Sequence, residues 1–300
     1  MSEKNTDDEL RADALVRFMF NDIPVRGVLL QFSKQWQALN GLHDYPTPVR
    51  DLLGQAVAAV TSIASSMKFE GMLTVQLSGQ GALPMLIVQC NDKLQFRGMA
   101  SDVEQSPVPT VFSGLMSAGQ LSLTVDALDA KDRYRGIVSL GASSLAGCLK
   151  DYYAESAQLE AHFVLFGSRE RACALMLQRM PDREPMADDD WHRLCLMADT
   201  LSADELREGV SHTLIHRLFS EDDVVAWPAA SCAFSCRCDD HRAEQAVKVL
   251  GEADALLLLA ERDNKIEITC EFCRKVRVLD EIDVGRLFNP AAVPGQSGIH

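Results

Sequence analysis

The sequence predicts an α+β protein in two compact units joined by a helical linker. Three observations carry that expectation. Between residues 25 and 180, short apolar runs separated by turn residues alternate with only a few helical stretches. At Pro181 the texture changes to PDREPMADDD, a proline-punctuated acidic run of the kind that joins domains. Cysteines then crowd a tail, from Cys232 to Cys273, that has too little apolar surface to hold itself together.

A chain of 300 residues, 47% of them hydrophobic, can bury a sizeable core, and its length fits two units. The opening residues MSEKNTDDEL carry no basic n-region or apolar h-region, so a cytoplasmic protein is expected. In a reducing compartment, nine cysteines fit buried thiols, metal ligands or redox sensors better than a disulfide framework, and the odd count agrees. The net charge of −14 repels polyphosphate and no basic stripe offsets it, so no nucleic-acid partner is expected. The apolar stretch LLGQAVAAVTSIASSM is broken by Gln, Thr and Ser and follows Arg50 and Asp51, so no membrane span is expected either.

In the first unit, residues 1–180, the amphipathic segment ALVRFMF leads into VRGVLLQF, which reads as a strand. A helix then starts with Thr47 at the N-cap and Pro48 in the first helical position, and Leu53, Ala56, Val57, Val60 and Ala64 share its core face. MLTVQLS, PMLIVQ and KLQFRGMA form a β-meander. Gly79 and Gly81 read as a hairpin turn rather than a phosphate loop, because Pro84 stands where a third glycine is needed and no βαβ context surrounds them. LSLTVDA and RYRGIVSL add strands, SSLAGCLKDYYAESAQL adds a helix, and HFVLFG closes the sheet before CALMLQRMP. The expected product is a largely antiparallel sheet with helices. No Ser/His/Asp set with readable spacing appears in it.

Residues 181–230 read as the linker. Trp191, Leu194, Cys195 and Ala198 mark one helical face, Ser202 with Glu205 forms a capping box, and helical period continues to about Phe219. Short helices without a core of their own must lean on a neighbour, so their stability is marginal. Residues 231–300 form the tail: a helix from Asp240 stopped by Gly251, a second ending near Ala260, a turn at Asp263 and Asn264, and a hairpin of IEIT and VRV around CEFC.

Cys236 and Cys238, followed by Cys270 and Cys273, supply four thiolates in two close pairs, the donor set a tetrahedral zinc ion takes from two loops. A small C-terminal zinc-binding domain is the result. Cys232 reads as a buried or free thiol outside the four, and His241 as an exposed residue rather than a substitute ligand. His212 and His216 share a helix face, but Thr213 stands where a metalloprotease helix places Glu. Cys90, Cys148, Cys173 and Cys195 fall in apolar patterns, where cysteine acts as a small hydrophobe. A Cys236–Cys238 disulfide would close a small strained ring, of labile potential, which suits a sensor better than an inert ribbon.

FSCRC at 234–238 with TCEFC at 269–273 resembles the redox-switch domain of the heat shock protein 33 family of redox-regulated chaperones. HDYPTPVRDLLGQAVAAVTSIASSMKFEGMLTVQLSGQG, LQFRGMA, YRGIVSLGASSLAGCLKDYYAESAQL and MLQRMP are similar, in order, to blocks of that family's N-terminal domain. The chain departs from the family after each pair, with Asp239, Asp240 and His241, and with Arg274, Val276 and Val278. The resemblance implies an ATP-independent holdase of the cytosol, not an enzyme. Cys236, Cys238, Cys270 and Cys273 would hold one zinc per chain in the reduced form. Oxidant would release the metal and join neighbouring cysteines as disulfides. The linker would then unfold, and apolar surface would be exposed to unfolding clients, often with dimerisation. The residues that hold clients are not assigned. Two rivals remain beside it: a thiol-disulfide oxidoreductase using CEFC, and a structural zinc ribbon serving as a binding module.

Overall fold

A computed structural model of the chain describes residues 13–127, 134–180, 187–207 and 212–289. The acidic leader, the PDREPM part of the proline-punctuated run and positions 208–211 of the linker lie outside the described residues. The chain divides into two compact units, Met1–Ser235 and Cys236–His300.

In chain order, the first unit holds β1 (Ala14–Phe20), β2 (Val25–Phe32), α1 (Lys34–Asn40), α2 (Thr47–Ser66), β3 (Gly71–Ser78), β4 (Met85–Asn91) and β5 (Gln95–Ala100). Then come α3 (Phe112–Leu115), β6 (Gln120–Ala127), β7 (Tyr134–Ser139), α4 (Leu145–Glu155), β8 (Ala161–Gly167) and β9 (Ala172–Arg179). Helices α5 (Asp188–Asp199), α6 (Ala203–Arg207) and α7 (His212–Leu218) follow, and then the short strands β10 (Val224–Ala226), β11 (Ala230–Ser231) and β12 (Ala233–Phe234).

Two sheets form instead of the single one expected. The meander β5-β4-β3-β6-β7 is antiparallel, with β12 added parallel at the β5 edge. HFVLFG does not close this sheet: β8 pairs with β9, and β9 with β2, in a separate antiparallel sheet ordered β10-β1-β2-β9-β8, with β11 also on β1. Burial explains the division. Strands β2 and β9 are buried at nearly every position, so their sheet needs cover on both faces. The meander alternates buried and half-exposed residues, and its outer face is polar, with Gln89 donating to Thr74 Oγ1 (3.0 Å) and Arg97 to Gln89 Oε1 (2.8 Å).

Helix α2 lies between the two sheets, packing on β8, β9 and β2 and on β4 and β5. The sequence anticipated one core face; the helix is in fact buried all round from Ala56 to Ala64. Its polar residues are accommodated because Thr61 and Ser62 donate to the Val57 and Ala58 carbonyls one turn back (2.9 Å each). The cap is Pro46 rather than Thr47: Val49 and Arg50 both donate to the Pro46 carbonyl, which moves Thr47 into the first turn. Elsewhere Gly79 and Gly81 form the β3–β4 hairpin turn as expected, with Gly79 N–H donating to Pro84 O (3.0 Å). A Cβ on Gly81 would stand 2.4 Å from the Leu115 carbonyl.

The other face of the β1-β2-β9 sheet is covered by the linker helices. Val16, Phe18 and Phe20 of β1, Leu29 of β2 and Leu175 and Leu177 of β9 form one buried cluster with Leu194, Ala198, Leu206, Leu214, Ile215 and Phe219. Phe219 is its anchor, with its ring centroid 5.0 Å from Phe20 and 5.7 Å from Phe18. Phe18 in turn lies across Gly27 of β2, where a Cβ would meet the ring at 2.1 Å. The expected capping box is present: Glu205 N–H donates to Ser202 Oγ (3.3 Å) and Ser202 N–H to Glu205 Oε2 (2.8 Å). Arg193 of α5 grips Asp222 with two hydrogen bonds of 2.9 and 2.6 Å.

The second unit holds α8 (Asp240–Leu250), α9 (Glu252–Glu261), the β13 (Lys265–Thr269) and β14 (Val276–Asp280) hairpin and α10 (Glu281–Phe288). Gly251 stops α8 with φ at 95°, and Asp263 and Asn264 turn the chain at φ 49° and 58°. Helix α10 was not read from the sequence, although Asp280 and Asp283 form a capping box at its start. The buried core is small: Ala243, Val247, Ala255, Leu259, Ile266, Leu279 and Val284.

Truncating the anchor tests how the linker is held. Phe219→Ala should remove about 3 kcal/mol from linker docking while leaving α2 and the meander intact. Hydrogen exchange is expected to quicken in residues 188–218 and not in residues 47–66; equal quickening in both would show that the linker does not open as a separate unit.

Candidate metal centre

Two loops of the second unit build a cluster of sulfurs. One is the extended stretch that runs into α8, where Asp239 caps the helix by accepting from Arg242 N–H (2.8 Å) and so fixes the exit of Cys238. The other is the knuckle between β13 and β14. Here Cys270 N–H donates to Lys275 O (3.0 Å), Arg274 N–H to Cys270 O (2.8 Å), and Arg274 adopts φ 56°. The Cys270–Cys273 turn is therefore fixed by backbone hydrogen bonds.

The four Sγ atoms of Cys236, Cys238, Cys270 and Cys273 all lie within 4.8 Å of one another. Cys236 and Cys270 are 3.7 Å apart, and Cys238 and Cys273 3.3 Å. A tetrahedron of sulfurs about 2.3 Å from a zinc ion has edges of about 3.8 Å, whereas a disulfide would hold two of them about 2.05 Å apart. The donor set therefore fits a tetrahedral thiophilic cation. Burial, then hydrogen bonding among the clustered thiols, pushes Cys273 up to about 12, partly offset by a backbone hydrogen bond at Lys275. Four thiolates at these distances need a positive charge among them.

Arg277 of β14 ties the two loops together. It is ion-paired with Asp240 in the first turn of α8, and its Nη2 donates to the Cys238 carbonyl (3.3 Å). Sequence reading missed this role. Its only signal is an arginine set between two valines, Val276 and Val278, on a strand that flanks the knuckle.

The remaining candidates stand apart from the cluster. Cys232 is buried in the core of the first unit, where burial and the Asp13 carboxylate push it up to about 12. Cys90 is likewise pushed up to about 12, chiefly by burial, and half-buried Cys195 to about 11. Cys148 and Cys173 are buried. His241 is exposed on α8 beside Gln245, and His212 and His216 are exposed on α7. The four clustered cysteines are all partly exposed, as is Cys195 on α5, while Cys90, Cys148, Cys173 and Cys232 are buried. Among the described residues, no helix is long and apolar enough to cross a membrane.

Comparison with known proteins agrees with this architecture. The family model described as Hsp33 protein matches residues 13–280. The 33 kDa chaperonin of Pseudomonas aeruginosa (strain LESB58) is 38% identical over 291 residues, covering 95% of this chain and 98% of that one. The 33 kDa chaperonin of Pseudomonas fluorescens (strain Pf0-1) is 35% identical over 292 residues, covering 95% and 97%. The crystal structure of the 33 kDa chaperonin (heat shock protein 33 homolog) of Thermotoga maritima superposes with a TM-score of 0.81, covering 93% of this chain and 99% of that one at 18% identity. With its two antiparallel sheets, its helical linker and its cluster of four cysteines, the chain belongs to the Hsp33 family of chaperones.

Proposed function

We propose that the protein is an ATP-independent holdase chaperone switched on by oxidation at Cys236, Cys238, Cys270 and Cys273. One observation carries the reading: four partly exposed thiols at tetrahedral spacing sit in a unit whose apolar core is too small to stand alone. The metal that fits is zinc, one per chain, which would neutralise the four thiolates and bind with about 10 to 16 kcal/mol. That is comparable to the whole net stability of a domain, about 5 to 15 kcal/mol.

In this reading residues 231–300 sense, residues 181–230 switch and residues 1–180 hold clients. Cys236 and Cys238 lose two electrons to one hydrogen peroxide. One S–S bond forms, and with two protons the peroxide becomes two waters; Cys270 and Cys273 react likewise with a second peroxide. The sulfurs no longer hold the metal, and the second unit loses its staple. The linker helices then leave the Phe18–Phe20 face, and unfolding proteins bind the apolar surface so freed, with homodimerisation of the oxidised chain. The reading places the protein in the cytoplasm. The oxidoreductase alternative is the weaker one, because CEFC sits in a hairpin knuckle rather than at a helix start.

The direct test is aggregation of a heat-unfolded client. The reduced, zinc-loaded chain should fail to suppress it, and the chain treated with peroxide at elevated temperature should suppress it while a metal-sensitive dye reports one zinc released. Equal protection by both forms would refute the switch. A second test addresses the loop tie: Arg277→Met should weaken zinc retention roughly tenfold, measured by competition with a chelator, and lower the peroxide dose at which protection begins. Unchanged retention would show that Arg277 does not support the site.

A further inference from the structure

The sandwich opens where α2 ends. Two adjoining recesses of about 460 and 790 Å³ lie there, sharing Arg26, Ser66, Met67 and Lys68. The smaller is walled by Met19, Val28, Met180 and Trp227. The larger is walled by Phe69, Val125, Tyr134, Tyr152 and Leu159. Together they make one groove with an apolar lobe on each side of a cationic saddle.

The charges in the groove are unusual for this chain. Acidic residues outnumber basic ones 43 to 29, yet among the described residues no acidic side chain lines either recess, while Arg17, Arg26 and Lys68 do. None of these three forms an ion pair with any described residue. Arg26 is half-buried, and among the described residues its fork is held by Gln178: Nε and Nη2 donate to Oε1 at 3.0 and 2.7 Å. Gln178 sits directly across from it on β9. Burial lowers the pKa of the guanidinium, the mark of a charge held at a cost that an approaching anion would offset. The C-terminal end of α2 favours cations here but leaves them able to accept an anion.

We propose that this groove binds an extended peptide segment in which an acidic residue lies between apolar ones, the carboxylate meeting Arg26 and Lys68 and the flanking side chains filling the two lobes. Met19, Met67 and Met180 give it the adaptable surface that unrelated sequences require. Aromatic side chains on both sides supply area at little entropic cost. The proposal rests on the holdase reading for its occupant, a segment of an unfolding protein, and adds a preference: acidic-apolar segments over basic-apolar ones. The groove is open in the reduced fold, so a short segment can be recognised there, while holding a whole unfolding protein still waits for the linker to leave.

The test uses the full-length reduced chain and two fluorescein-labelled peptides of about ten residues, each with two Leu-Phe pairs flanking one central residue, Asp in one and Lys in the other. Anisotropy should show the Asp peptide binding about tenfold more tightly. The double variant Arg26→Gln, Lys68→Gln should bind both alike. Lys68→Gln alone, at an exposed position that cannot unfold the core, should lose part of the preference. Equal binding of the two peptides by the parent chain, or an undiminished preference in the variants, overturns the proposal. So does binding of decanoate, a small amphiphile, with neither peptide bound. Because no oxidant is used, failure of the redox switch would leave this measurement standing. Conversely, full client protection by an oxidised double variant that has lost the peptide preference would overturn the client role of the groove while leaving the switch intact.

Discussion

A sheet that is apolar on both faces must be covered twice. In β1, β2 and β9 the side chains alternate between two buried sides: Leu15, Leu30 and Ala174 meet α2, while Phe18, Leu29 and Leu175 meet the linker. The two covers are unequal. Helix α2 runs from Thr47 to Ser66, buried all round in its middle and sandwiched by a second sheet, whereas the other cover is built from α5, of 12 residues, and α6 and α7, which span only Ala203–Arg207 and His212–Leu218. Helices that short are not stable by themselves in water, so the second cover exists only while its apolar residues remain docked. The same strands thus have one long, sandwiched cover and one made of shorter helices, and the second lies over the Phe18–Phe20 surface.

The second unit is built on the opposite principle. Its core is made of small or single aliphatic residues, while Val249, Leu257 and Ile282 stay largely exposed. Apolar burial alone cannot hold such a unit, so the ties around the cysteines carry unusual weight: the Asp239 cap, the backbone-closed knuckle and the Arg277 bridge all converge on the four sulfurs. A unit that depends on one local cluster is sensitive to any chemistry of that cluster. The same argument separates these sulfurs from Cys90, Cys148, Cys173 and Cys232, which are buried and contribute as small hydrophobes.

Much of this was legible because the signals are local. Gly251, the Ser202–Glu205 pair and the turn at Asp263–Asn264 each answer a backbone requirement of their own neighbourhood, and all stand where the sequence placed them. The two close pairs of cysteines were readable for the same reason, each pair being confined to one loop. The errors concern partners far away in the chain. HFVLFG has the pattern of any half-buried strand, and only the near-continuous burial of β9, which demands cover on both faces, assigns it to the sheet of β1 and β2. Arg277 was unreadable as a bridge because its partners, Asp240 and the Cys238 carbonyl, come from the other loop. The groove at the end of α2 was equally hidden: Arg26, Lys68, Tyr152 and Trp227 converge only after both sheets have formed.

The segment between linker and cysteines shows how the two principles meet along the chain. After Phe219 the chain passes through β10, β11 and β12, each pairing with a first-unit strand over two or three residues. The last of these, Ala233–Phe234, is reinforced by Phe234 N–H donating to Gln35 Oε1 (2.8 Å) and Ser235 N–H to Phe96 O (2.9 Å), and Cys236 follows at once. Two-residue pairings at a sheet edge cost little to open, whereas Phe219, fully buried against two rings, costs much more. Loss of order starting at the cysteines would therefore travel easily to β10 and meet its main resistance at Phe219. Phe219 and the Arg193–Asp222 grip beside it would then be the first strong resistance to uncovering the sheet, ahead of Leu214, Ile215, Leu206, Ala198 and Leu194 in the same buried cluster.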